Sequence, residues 1–249
     1  MPVMDEFKEE REAMKNGTPQ QKLAYFWDYY KWYVIAGAFI IILAVTFIIE
    51  QLNRKETCFY ALMLNGTEYN YGEANPEYTE GFAEYAGIDK NEYDIIYDAT
   101  IQIGTGTGDE LSASQKLLVY ITAGELDVMI SDPNSLLQYA YQDSFYDLRE
   151  FLTEEQLAKY AGSFYYIDGA VIDAINAAND AGQYDYVPEY GDPHHPEDMN
   201  DPIPTGIFLS KDCPLMENYL FQSDETVVCV MINTPHPETS LQFIDYLMQ

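Results

Sequence analysis

The chain has 249 residues, 42 acidic against 12 basic, and a formal net charge of −30. Binding to nucleic acid needs clustered Lys and Arg, so that function is excluded, and no nucleic-acid partner is expected. A hydrophobic content of 47 % and an aromatic content of 15 % exclude a disordered acidic tail, because there is ample apolar material for a core.

The charge is unevenly placed. Residues 1–55 hold seven basic and seven acidic side chains, so the remainder carries the entire excess. A break of this kind marks a boundary between domains or compartments. At the boundary lies Tyr33 to Ile49, 17 residues without a charged side chain. As a helix this run spans ~26 Å, and with Trp32 and snorkelling flanks it matches a hydrocarbon core of ~30 Å. It lacks the polar stripe of a core helix. Its small residues Ala36, Gly37 and Ala38 sit at its entry, whereas a signal peptide carries them at its exit.

Thr18-Pro19-Gln20-Gln21 reads as an N-cap, a proline at the first helical position and a capping-box Gln. The helix it opens carries Phe26, Trp27, Tyr29, Tyr30, Trp32 and Tyr33, which suit the headgroup zone of a bilayer. The expected organisation is a cytoplasmic tail and interfacial helix over 1–31, a transmembrane helix over 32–50 and an extracellular α/β domain over 56–249. Flanking Lys and Arg differ by one charge between the two sides. The orientation therefore rests on bulk, a short tail inside and a long acidic domain outside.

Beyond the anchor, Cys58 to Leu64 is a strand ended by the Asn65-Gly66 turn. Asn75-Pro76 opens a helix with Tyr78, Phe82 and Tyr85 on one face, closed by Gly87. Tyr93 to Tyr97 is a second strand. Ser112 caps a helix bearing Leu117, Leu118 and Ile121 that ends at Gly124, and Leu126 to Ile130 is the third strand. Asp132-Pro133 and Thr153 with Gln156 start two further helices, and Val171, Ile172 and Ile175 mark another. Ile203 to Leu209 and Thr226 to Ile232 read as strands before a last helix bearing Leu241, Ile244, Leu247 and Met248. This alternation predicts an α/β layer structure with a parallel or mixed sheet. Residues 180–202 lack any period and read as a long loop.

Two passages carry a family likeness. Gly124 to Asp132 (GELDVMISD), followed by a helix and Phe145 to Leu152 (FYDLREFL), resembles the strand, helix and Asp-Leu turn of extracellular solute-binding proteins of ABC importers. Val227 to Met248 is similar to that family's strand, Asn/Ser turn and closing helix. The resemblance implies a periplasmic-binding-protein-like three-layer domain, here shortened and anchored to the lipid bilayer. It implies the binding of a small molecule or a partner membrane complex and no enzymatic activity.

Candidate sites follow from the fold class. Open α/β sheets bind at the carboxyl ends of their strands, which singles out Ser131, Asp132 and Asn134 after the third strand. His194 and His195, with Asp192 and Glu197 beside them, form a donor set for zinc and the basis of a rival reading as a metal-dependent hydrolase. A membrane-anchored assembly factor without a cleft is the third reading. Gly104 to Gly108 (GTGTG) imitates a phosphate cradle but lacks the Walker lysine, so no nucleotide or other cofactor is expected. His236, near the start of the last helix, is expected to cap it. Cys58, Cys213 and Cys229 form no CxxC pair. A bridge between Cys213 and Cys229 and buried free thiols are both compatible with the spacing.

Overall fold

The computed structural model describes residues 18–69, 76–106 and 109–249. It divides into two compact units, Met1–Arg54 and Lys55–Gln249.

The described part of the first unit is one helix, α1, Pro19–Asn53. It begins at the proline that the capping pattern nominates and runs without interruption into the apolar segment. Tyr30–Gln51 has a mean hydropathy of 2.6, long and apolar enough to cross a membrane. Phe39, Ile40, Ile41 and Ile42 are each about 60 % exposed, although successive residues on a helix point in different directions. No face of this segment is packed against another part of the chain among the described residues. The hydroxyl of Thr46 donates back to the carbonyls of Ile42 and Leu43, so it needs no outside partner.

The second unit is a layered α/β domain. In chain order its elements are β1 (Glu56–Met63), β2 (Thr67–Glu68), α2 (Pro76–Ala86), β3 (Tyr93–Asp98), α3 (Glu110–Ala123), β4 (Val128–Ser131), α4 (Pro133–Ala140), α5 (Leu148–Phe151), α6 (Glu154–Tyr160), β5 (Phe164–Asp168), α7 (Gly169–Asp180), β6 (Pro202–Phe208), β7 (Tyr219–Leu220), β8 (Val227–Val230) and α8 (Pro237–Leu247). Six strands form one mixed sheet in the order β3-β1-β4-β8-β6-β5. β1 runs parallel to β3 and β4, whereas β8, β6 and β5 follow by antiparallel pairing. β2 and β7 make a separate antiparallel pair.

The sheet is covered on both sides, which is why β4 is buried along its whole length and reads as a continuous apolar run. One face packs Phe59, Ala61, Val128 and Val230 against Phe82 of α2, Leu148 of α5, Tyr160 of α6 and Phe243 of α8. Phe59, Phe82 and Phe243 meet at ring centroid separations of 4.7–5.1 Å. The other face packs Leu62, Met129 and Cys229 against Leu117 of α3, Leu136 of α4 and Val171 of α7.

Local chemistry accounts for most helix ends. Asp132 caps α4 ahead of Pro133, and Thr153 with Gln156 makes a reciprocal capping box on α6. Gly124 ends α3 with φ +66°, a left-handed conformation that costs glycine least. The start of α3 departs from the sequence expectation. The cap is Asp109, whose carboxylate accepts from the Ser112 backbone N–H, so the helix begins one turn earlier. His236 precedes α8 but its side chain does not cap it. Strand β5 and the short pair β2/β7 carry no marking in the periodicity of their residues. Residues 181–201 are irregular apart from one 3-10 turn, Pro196–Asp198.

The three cysteines are free. Cys213 lies in the core on one side of the sheet and Cys229 on the other, so the bridge left open by the spacing is not formed. Burial pushes the Cys213 thiol up to about 11 and raises that of Cys229 further.

Candidate functional site

From β1 the chain passes to α2 on one face of the sheet, and from β4 it passes directly to α4 on the other. The chain therefore leaves the carboxyl ends of the adjacent strands β1 and β4 towards opposite faces. Such a divergence opens a crevice at the sheet edge.

Its floor is a polar clasp. Where the β1/β4 ladder ends, at Met63 opposite Ile130, the Ser131 hydroxyl donates to the Leu64 carbonyl and ties the two strand ends together. The next residue, Asn65, adopts φ +60°, which Asn tolerates better than most side chains. Its Oδ1 accepts from Ile103 N–H at 2.7 Å and its Nδ2 donates to Ser135 Oγ at 2.8 Å. Ser135 passes the interaction on by donating to Asp132 Oδ2 at 2.6 Å. Asp132 Oδ1 accepts two backbone N–H groups of α4, from Asn134 and Ser135. Gly66 suits this position by close approach. A Cβ would stand 3.0 Å from that of Met63 and 3.1 Å from the Phe221 ring.

Above the clasp is a cavity of about 510 Å³. Asn65, Asp132 and Asn134 line its base, Gln138 and Tyr139 one wall, and Tyr190 and Gln222 the other side. Among the sequence candidates, Asp132 and Asn134 line this cavity, while Ser131 is fully buried and works beneath it. Among the described residues, the side-chain amides of Asn134 and Gln222 make no hydrogen bond. Tyr190 packs against Tyr141 in a tilted ring contact, 4.6 Å between centroids and 42° between planes, and the Tyr141 hydroxyl in turn accepts from Asp168 N–H.

A smaller hollow of about 150 Å³ shares Gln138 and Tyr190 with the first. It is bordered by Gln142, Asn179, Gln183, Tyr184 and Tyr186. Within a chain of net charge −30, the only charged residue lining either hollow among the described residues is Asp132, whose carboxylate is already engaged by α4.

The histidine loop is organised differently. The His194 ring stacks on Phe208 at 4.2 Å and its Nε2 lies 3.2 Å from Glu225. His195 Nδ1 pairs with Glu197 at 2.9 Å, and that hydrogen bond raises the imidazole pKa while lowering that of the carboxyl. Asp192 accepts from the His194 backbone N–H. The two imidazoles thus turn to different carboxylates. Among the described residues no group of three or more His, Cys, Asp or Glu could hold a metal ion, so His194, His195, Asp192 and Glu197 do not converge on one point. Of the glycine-rich stretch, Gly104 borders the larger cavity and residues 107–108 lie outside the described residues.

At the opposite end of β4 is a second polar centre. Asp127 is fully buried and accepts from the Tyr60 backbone N–H at 2.7 Å, from the Thr234 hydroxyl and from the His236 backbone N–H. His236 Nδ1 lies 3.1 Å from the same carboxylate. Ser240 Oγ donates to the His236 carbonyl and not to its ring, so no nucleophilic triad is assembled.

Comparison with known proteins finds no matching family model, no matching curated protein and no matching solved structure.

Proposed function

We propose that this chain is a membrane-anchored binding protein whose α/β domain, of solute-binding type, holds a small neutral polar ligand in the crevice between the ends of β1 and β4. The observation that carries the reading is that the roughly 510 Å³ cavity, a size common for ligand sites, is lined by several amides and hydroxyls and, among the described residues, by no cation. An anionic ligand would meet no compensating charge there and would be repelled by the excess of carboxylates. A neutral molecule rich in hydroxyls pairs with Asn134, Gln138 and Gln222, which offer both donors and acceptors. The clasp of Asn65, Ser135 and Asp132 keeps the site formed before the ligand arrives, so binding needs no lobe closure.

The bilayer is the other partner in this reading. α1 holds the domain at the membrane, with the tail on the cytoplasmic side and the acidic domain outside. Thermal-shift screening of the full chain in detergent, against sugars, amino acids, peptides and divalent ions, tests the assignment. A neutral polyol or sugar is expected to raise the melting temperature in wild type and less so in Asn134→Ala and Gln222→Ala. A melting temperature unmoved by every compound would sink it.

One observation favours the reading as a subunit or assembly factor. Leu111, Leu118 and Val119 on α3 are each more than half exposed, an apolar face fit for a protein partner. Copurification through the intact anchor, lost on Leu118→Glu, would support it.

A further inference from the structure

The larger crevice and the smaller hollow meet at Tyr190 and Gln138, which line both. A volume of about 150 Å³ falls below the ~300 Å³ at which ligand sites begin, so the hollow makes sense as an extension of its neighbour. The outer residues repeat the chemistry of the inner ones. The amides of Gln142, Asn179 and Gln183 make no side-chain hydrogen bond among the described residues, and no charged group borders the hollow. Tyr184, 84 % exposed, and Tyr186, 44 % exposed, offer ring faces to solvent.

Building on the binding role assigned above, we infer that the occupant is an oligosaccharide of at least two sugar units, with one unit over the Asn65 clasp and the next beyond Tyr190 against Tyr184 and Tyr186. Sugar rings present apolar C–H faces and equatorial hydroxyls, which match tyrosine faces and side-chain amides respectively. A free peptide of similar length is disfavoured. Among the described residues its carboxylate would find no Lys or Arg at either hollow, and no sheet edge lines them for strand addition. Tyr190, braced by Tyr141, is the fixed wall past which the chain bends.

The test is calorimetric titration of the full chain in detergent with two length series, glucose to cellotetraose and N-acetylglucosamine to chitotetraose, with tetraalanine as the peptide control. In at least one series, affinity should rise tenfold or more from one unit to two or more. The double variant Tyr184→Ala/Tyr186→Ala, whose melting temperature should match wild type, should lose that gain and keep the affinity for one unit. Equal affinity at all lengths, a gain that survives the double variant, or tetraalanine binding in place of both series would each overturn the inference. Were a single sugar unit to bind through Asn134 and Gln222 without any length effect, the crevice assignment would stand and the extension alone would fail. If no neutral compound binds at all, both fall.

Discussion

The buried carboxylate of Asp127 and the Nδ1 of His236 lie 3.1 Å apart across 109 residues of sequence, and through them the amino end of β4 is joined to the start of α8. The same carboxylate receives the Tyr60 backbone N–H, so β1 is included in the junction.

Removing this acceptor leaves the buried Tyr60 N–H without its partner and takes one from the part-buried Thr234 hydroxyl and His236 ring. Asp127→Ala should therefore destabilise the domain by on the order of 3 kcal/mol, whereas His236→Ala, which keeps the carboxylate and its other donors, should cost about 1 kcal/mol. Urea unfolding followed by circular dichroism measures both. A loss for Asp127→Ala as small as that for His236→Ala would refute the role of the carboxylate as the hub.

Helix caps give a second series. Thr153→Ala should lower stability by about 1 kcal/mol by breaking the reciprocal box with Gln156. Asp132→Ala should cost more, about 2 kcal/mol, because Asp132 also holds Ser135 and through it Asn65. It should also weaken ligand binding, which Thr153→Ala, remote from the crevice, should not. The two variants reverse their order only if the clasp is dispensable.

Acid should expose two other carboxylates. Burial by itself would raise the pKa of Asp168, yet backbone N–H donors from Asn200, Asp201 and Ala170 outweigh it and hold the group below its ordinary value. Asp98 is likewise lowered. Burial opposes ionisation there too, but donors from Thr100 and Tyr60 and the nearby Lys116 prevail. A folded-state pKa below the unfolded one contributes stability that is complete above the unfolded value of about 4 and is lost as pH falls through the folded value. Melting temperature should hold from pH 7 to about 5 and fall below about 4. Asp168→Asn should be less stable at neutral pH and show a shallower acid loss, and an unchanged acid slope in that variant would count against this account.

Anchoring makes a fourth prediction. The full chain should sediment with membranes in a detergent-free lysate. Ile41→Arg together with Leu43→Arg, at about 2.5–3.5 kcal/mol of insertion cost each, should move a substantial fraction to the soluble phase. Protease added to whole cells should digest the acidic domain if it lies outside.

Much of this architecture was legible in the chain because it rests on local chemistry. The caps at Asp132 and Thr153, the turn at Asn65-Gly66 and the stop at Gly124 are each set by residues within a few positions of one another, and the apolar runs of β1, β4 and β8 stand out because both faces of the sheet are covered. Strand β5 was not legible. Its Phe, Tyr and Ile favour a strand, but at five residues without apolar/polar alternation it shows no period, and its state is set by pairing with β6, some forty residues later. The helix start at Asp109 was masked by a competing Ser112 within the same turn. The crevice was half visible. Asp132 and Asn134 follow from strand order, but Gln138, Tyr190 and Gln222 come from three separate segments that only the tertiary fold brings together. His236 illustrates the reverse error, since its position at a helix start suggested a local cap while its actual partner is far away in sequence.

The place of α8 in the chain has a consequence for biogenesis. Phe243, Ile244 and Leu247 complete one face of the core, yet they follow every strand of the sheet they cover. During synthesis the strands would emerge from the ribosome with that face bare, so the domain cannot reach its native state cotranslationally until α8 has been released. The apolar helix α1, by contrast, is complete long before, while the body of the domain is still waiting to close.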